Sequence, residues 1–307
     1  MNDGRRDDII KLPAHFSDVL DASAGRPFAF DHGDIRTLHF DEHVIQSAMR
    51  ISAPQQLLLS YTRAMMAFLL FLPQPRHVVM IGLGGGSLAK YCYANLPGTR
   101  ISVLEVDADV IALRRTFLVP DDDERFCIIH ADAVDAIAAM AKMNVAKNTA
   151  NDEAHEAHNP TADVILHDGY GADGLPSMLS TPAFYRACCN ALAPGGVLVS
   201  NLWGEADNLV ALMQHLHGAF DARLWWCSAG DANRIVFSLR RGAPAGGAAA
   251  AESTSAAMLA KRAAQYDLRH DLSFGDLVDR LQHAGKKSDA AFAAMAGNDM
   301  RSAFMQL

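Results

Sequence analysis

The residues with the most chemical content are three glycines and four acids: Gly82, Gly84 and Gly86, then Glu105, Asp107, Asp132 and Asp168. The segment His77-Val-Val-Met-Ile-Gly-Leu-Gly-Gly-Gly-Ser87 reads as a buried strand, a glycine turn and a helix start, and Ile101-Ser-Val-Leu-Glu-Val-Asp107 as a second strand ending in acids. Glycine lets a backbone turn sharply and approach a ligand where a Cβ would collide. Glu105, twenty-three positions after Gly82, falls where a carboxylate accepts from ribose hydroxyls. No Gly-Lys-Ser/Thr follows the turn, which argues against a triphosphate loop, and Gly-x-Gly-Gly-Gly fits poorly with the Gly-x-Gly-x-x-Gly of dinucleotide sites. A sulfonium nucleoside of the S-adenosyl type, with no pyrophosphate to cradle, fits better.

Asp132 in His130-Ala-Asp-Ala133 closes a third strand and either accepts from an adenine amino group or caps the helix that follows. Asp168 ends a fourth strand in Leu166-His-Asp-Gly-Tyr170 and faces the reactive end of such a nucleoside, unless it serves only an Asx turn. His167 points to the opposite face of the sheet and reads as structural. Tyr61, Tyr170 and Trp203 offer an aromatic wall for a cation, or plain packing. His155 and His158 are three apart in a polar segment with no third partner, so no metal site is expected.

Positioning these groups requires strands alternating with helices. Strands are expected at 77–82, 100–106, 126–130, 163–167 and 197–202, with helices at 86–95, 108–117, 132–142, about 182–193 and 207–219. A closing pair, 222–228 and 234–240, is joined by a connection too short for a parallel crossover, which makes the last strand antiparallel. The expected fold is therefore α/β: an S-adenosylmethionine-methyltransferase-like Rossmann fold with a mainly parallel seven-stranded sheet. Upstream, 28–30, 35–40 and 44–49 suggest a β-hairpin, and Pro54 introduces one helix through Leu57, Tyr61, Met65, Phe68 and Leu72. The polar stretch 144–161 reads as a surface loop.

The resulting organisation is an N-terminal segment without a clear pattern at 1–25, a hairpin and helix at 26–75, and a nucleoside-binding catalytic domain at 76–241. An Ala/Gly-rich linker at 242–257 and a C-terminal helical extension at 258–307 follow. Half of the 307 residues are hydrophobic, enough for a substantial core. A formal charge of −8 without basic runs argues against nucleic acid as a partner and suits a small, cationic substrate. Five cysteines without Cys-x-x-Cys spacing, no apolar signal core and no stretch near the ~20 residues of a membrane span predict a cytoplasmic protein with reduced thiols.

Over about Phe28 to Arg240 the chain resembles the spermidine synthase family of polyamine aminopropyltransferases. The resemblance rests on the hairpin ending in Gln46, Pro-Arg-His-Val-Val-Met-Ile-Gly82, Leu-Glu-Val-Asp107, Ala-Asp-Ala133, and Asp168 followed by Gly174, Leu179 and Phe184-Tyr185. It implies that Gln46, Gly82, Gly84, Gly86, Glu105, Asp107, Asp132 and Ala133 hold decarboxylated S-adenosylmethionine as a co-substrate. It also implies that Asp168 takes a proton from an amine acceptor and that the chain forms a homodimer or homotetramer; Tyr61, Tyr170 and Asp173 are the residues expected to hold that acceptor. Two positions depart from the family: an acid usual in the glycine loop is Gly85 here, and a second acid three residues after the catalytic one is Gly171. Asp173 is placed to substitute for the latter if the loop is kinked. An S-adenosylmethionine-dependent methyltransferase and a non-catalytic nucleoside-binding relative stay open on the same residues.

Overall fold

Residues along the central strands alternate between two cores because the pleat sends successive side chains to opposite faces. Val78, Met80, Val164 and Leu166 join one core, while Val79, Ile81 and Ile165 join the other. The computed structural model describes residues 16–41, 45–150, 161–204, 206–221, 223–230, 233–242, 255–268 and 272–284. The polar segment 151–160 with His155 and His158, most of the proposed linker, and the two ends of the chain lie outside the described residues.

After a short helix α1 (Phe16–Ser23), strands β1 (Phe28–His32), β2 (Ile35–His39) and β3 (Ile45–Arg50) form a three-stranded antiparallel sheet rather than a single hairpin. It carries its own small core of Phe16, Phe28 and Phe30. The expected long helix is two short ones, α2 (Ser60–Met65) and α3 (Phe68–Phe71). Leu57 and Leu58 stay outside because their carbonyls accept from the Arg63 guanidinium instead of from helical amides.

The main body alternates β4 (His77–Ile81), α4 (Ser87–Asn95), β5 (Arg100–Glu105), α5 (Ala108–Ala112), β6 (Phe126–His130), α6 (Ala133–Ala150), β7 (Ala162–His167), α7 (Pro182–Ala191), β8 (Leu192–Leu202), α8 (Ala206–Ala219), β9 (Leu224–Ala229) and β10 (Asn233–Leu239). Strands β4 to β8 pair in parallel, and β10 lies antiparallel between β8 and β9. The helix α6 runs past the expected loop boundary. Buried Asn144 explains this: its amide donates to the Asn190 and Ala191 carbonyls and its oxygen accepts from Thr161, pinning the helix to the end of α7.

Among the described residues the sheet has eight strands, in the order β11-β9-β10-β8-β7-β4-β5-β6, because the C-terminal extension adds β11 (Gln282–Ala284) to β9. The extension's described residues form two helices, α9 (Ala256–Asp267) and α10 (Phe274–Arg280), and an edge strand. Its Leu259, Ala263, Leu272, Phe274 and Leu277 belong to the larger core, and Arg262 and Tyr266 satisfy the carbonyls of Leu70, Phe71 and Pro73 at the end of α3. The extension therefore braces the region that carries Tyr61. Phe274→Ala is expected to destabilise the whole protein by about 3 to 5 kcal/mol, as for other buried aromatic truncations. Denaturant unfolding followed by tryptophan fluorescence checks this, and a local loosening without a shift in the main transition would separate the extension from the core.

Candidate active site

A cavity of about 960 Å³ opens where β4, β5, β6, β7 and β8 end, and the small N-terminal sheet and α2 close its other side. Ligands in open α/β sheets bind at this edge. Gln46, Gly82, Gly84, Glu105, Asp107, Asp132, Ala133, Asp168, Tyr61, Tyr170 and Asp173 all line it. Gly86 is not part of the wall. It takes φ +66° as the residue before α4, and a Cβ there would lie 2.4 Å from Val119, so its role is to turn the chain.

Gly82 adopts φ +91°, and a Cβ on it would lie 2.5 Å from the Asp168 carbonyl oxygen. The glycine loop and the loop after β7 are thereby pressed together. Glu105 is 8 % exposed and holds this turn from below: its carboxylate accepts from the Leu83 N–H at 2.8 Å and the Asp107 N–H at 2.9 Å. Asp107 caps α5 through the N–H groups of Asp109 and Val110, and exposed Asp132 accepts from the Val134 N–H at 2.7 Å. Each acid on this side is oriented by backbone donors and turned toward the cavity rim.

On the other side, Asp168 accepts from the Asn201 amide at 2.9 Å and from the Tyr61 hydroxyl. Burial raises its carboxyl to about 6, against the opposing pull of those two hydrogen bonds. A carboxyl at that level is well matched to proton transfer near neutral pH. The Tyr61 hydroxyl is in turn held protonated, chiefly by burial and then by the neighbouring carboxylate. Tyr170 donates to the Asn201 carbonyl at 3.0 Å and accepts from the Trp203 N–H at 2.8 Å, and its ring meets Trp203 edge to face. With Met178, which is largely exposed, these rings form an apolar rim beside Asp168. His167 points away from the cavity, between Phe184 and Tyr185, and burial lowers it to about 4, so it stays neutral.

The loop after β7 is kinked. Gly171 and Gly174 exchange backbone hydrogen bonds at 2.9 and 3.2 Å, so Asp173 stands exposed at the tip of a tight turn on the cavity wall. The two missing acids differ in what surrounds them. A Cβ at Gly171 meets nothing within 4 Å, whereas one at Gly85 would lie 2.7 Å from Ser47 Oγ and 2.9 Å from the Phe117 ring. Gly171→Asp is therefore expected to leave stability within about 0.5 kcal/mol and to lower the KM of a diamine acceptor roughly tenfold by adding a charge-assisted contact. Gly85→Asp is expected to cost about 1 to 3 kcal/mol through overpacking. Thermal unfolding and acceptor kinetics on the two variants test the contrast.

Ser47, Asn201, Met178 and Asn233 also line the cavity and are not among the expected site residues. Asn201, one residue before the end of β8, was within reach of the strand-end rule that found Asp168. Asn233 escapes that rule because β10 is antiparallel, so its first residue lies where the parallel strands finish.

No family model matches the chain. A polyamine aminopropyltransferase from Chromobacterium violaceum is 30% identical over 259 residues, which cover 84% of this chain and 90% of the relative. Among solved structures, a probable spermidine synthase from Corynebacterium glutamicum shares the fold with a TM-score of 0.60 at 18% identity, covering 89% of this chain and 91% of the other. Human methyltransferase-like protein 13, in complex with SAH, shares it with a TM-score of 0.54 at 21% identity, covering 77% of this chain and 99% of the other. The solved structures share the fold, and the match to the bacterial enzyme along nearly all of its length shows the family: the chain belongs to the polyamine aminopropyltransferase family.

Proposed function

We propose that this chain moves the aminopropyl group of decarboxylated S-adenosylmethionine to a small amine, with Asp168 as the base. The observation that carries this reading is the half-buried Asp168 carboxyl, held by Asn201 and Tyr61 on the wall of a nucleoside-sized cavity. The glycine turn at Gly82 and Gly84, with Glu105, would hold the ribose, and Asp132 with Ala133 the adenine. Gln46 and Asp107 complete the wall on that side.

The amine arrives protonated and cannot attack until Asp168 takes its proton. The freed lone pair then bonds to the methylene carbon next to the sulfonium, the carbon–sulfur bond breaks, and its electrons pass to sulfur. The products are 5′-methylthioadenosine and a longer polyamine carrying the new C–N bond. Holding nitrogen, carbon and sulfur in line is the main source of acceleration in such a displacement. Tyr61, Tyr170 and Trp203 would flank the ammonium, and Asp173 would hold a second cationic group of the acceptor. A methyltransferase reading is disfavoured by the family to which the chain belongs.

Since the base must be ionised, kcat/KM for methylthioadenosine release is expected to climb through about pH 6 as Asp168 loses its proton. A profile flat from pH 5 to 8 would remove Asp168 from that role. A cytoplasmic setting, supported by five free cysteines, is part of the proposal. So is a homodimer or homotetramer, which light scattering on the purified protein tests.

A further inference from the structure

We infer that Asn201 and Asn233 form a directional relay into Asp168, Asn201 touching the carboxylate and Asn233 acting through it as a positioning residue, and that this relay keeps Asp168 in its proton-accepting state. The inference rests on Asp168 being the base. Asn233 Nδ2 donates to Asn201 Oδ1 at 2.9 Å, and Asn201 Nδ2 donates to Asp168 Oδ1 at 2.9 Å. An ionised carboxylate only accepts, so Asn201 must turn its NH₂ toward it and its oxygen toward Asn233. Asn233 must then present its own NH₂, which leaves one polarity for the whole chain. Protonation of Asp168 removes that demand and lets the Asn201 amide rotate by half a turn.

The backbone is fixed as firmly as the side chains. Asn201 is 4 % exposed, is paired with Ile235 in the β8–β10 ladder, and has its carbonyl held by the Tyr170 hydroxyl, which also accepts from the Trp203 N–H. Among the described residues, the titratable groups facing Asp168 are Tyr61 from α2 and Tyr170 from its own loop. Asp173 stands further along that loop on the cavity wall. None of these is a cation, so the amide relay and the Tyr61 hydroxyl are what favour the ionised form.

The test is the pH profile of kcat/KM for methylthioadenosine release, measured on the full chain with decarboxylated S-adenosylmethionine and a diamine. Asn201→Ala is expected to move the acidic limb upward by about one pH unit, through loss of a hydrogen bond to the charged form. Asn233→Ala should move it the same way by less. Asn233→Asp keeps the volume but supplies an acceptor-only group, so it should capture the Asn201 NH₂, turn the Asn201 oxygen toward Asp168 and move the limb at least as far as Asn201→Ala. Methylthioadenosine affinity should stay within about twofold in all three, because the nucleoside lies on the other side of the cavity. Rates reduced by one factor at every pH, with the limb unmoved, would overturn the relay and leave a packing role. The companion variant Asp168→Asn separates the two levels. If it is inactive while the asparagine variants keep the native limb, only the relay fails; if it retains turnover, the reading of the site fails as well.

Discussion

Asp168→Asn is expected to reduce aminopropyl transfer by about 10²- to 10⁴-fold, the usual contribution of a general base, while leaving methylthioadenosine affinity within about twofold. The backbone contacts that shape the nucleoside side survive the change: the Asp168 N–H still donates to Ile81 and its carbonyl still lies against Gly82. The amide still accepts from Asn201. The variant should also be more stable than the parent at neutral pH. Asp168 is raised from the ordinary carboxylate value to about 6 by burial, so the folded protein holds that proton more tightly than the unfolded chain. Its contribution is harmless below about pH 4, grows into a penalty between about pH 4 and 6, and levels off above that at about 3 kcal/mol. A Tm difference that vanishes near pH 4, grows between about pH 4 and 6 and levels off above, together with lost turnover, is the signature expected of a group kept in place for chemistry at a cost in stability.

Glu105→Ala carries the second large effect. The substitution removes the acceptor of two backbone amides, those of Leu83 and Asp107, and with it the brace under the glycine turn. Hydrogen bonds to a charged group contribute about 1.5 to 3 kcal/mol each. Calorimetric titration with methylthioadenosine should show an affinity at least about tenfold weaker, and the unfolding midpoint should fall as well. Unchanged affinity with a lowered midpoint would leave Glu105 its structural task and take away the ribose.

The strand and helix alternation from His77 onward was legible because a buried parallel sheet needs continuous apolar runs, and Val78, Val79, Ile101, Val103, Val164 and Ile165 supply them on both faces. Gly82, Glu105 and Asp168 were legible for a related reason: each ends or follows a strand, and the topology brings strand ends together. What was hidden depended on contacts between distant segments. The continuation of α6 is fixed by Asn144 reaching Asn190, Ala191 and Thr161, and a polar composition gives no sign of such a partner. The eighth strand is three residues long and exists only because β9 offers an edge. Gly86 looked like its neighbours in the turn, yet its environment is Val119 rather than the cavity. At Gly85 the absence of an acid was visible, whereas the filling of its place by Ser47 and Phe117 was not.

The most direct test is to incubate the purified protein with a panel of amines and either decarboxylated or intact S-adenosylmethionine, and to resolve the nucleoside and amine products by chromatography and mass. Methylthioadenosine and an aminopropylated amine should form in equal amounts from the decarboxylated donor and disappear in Asp168→Asn. Formation of S-adenosylhomocysteine from the intact donor, or binding of both donors without turnover of any amine, would contradict aminopropyl transfer at this cavity.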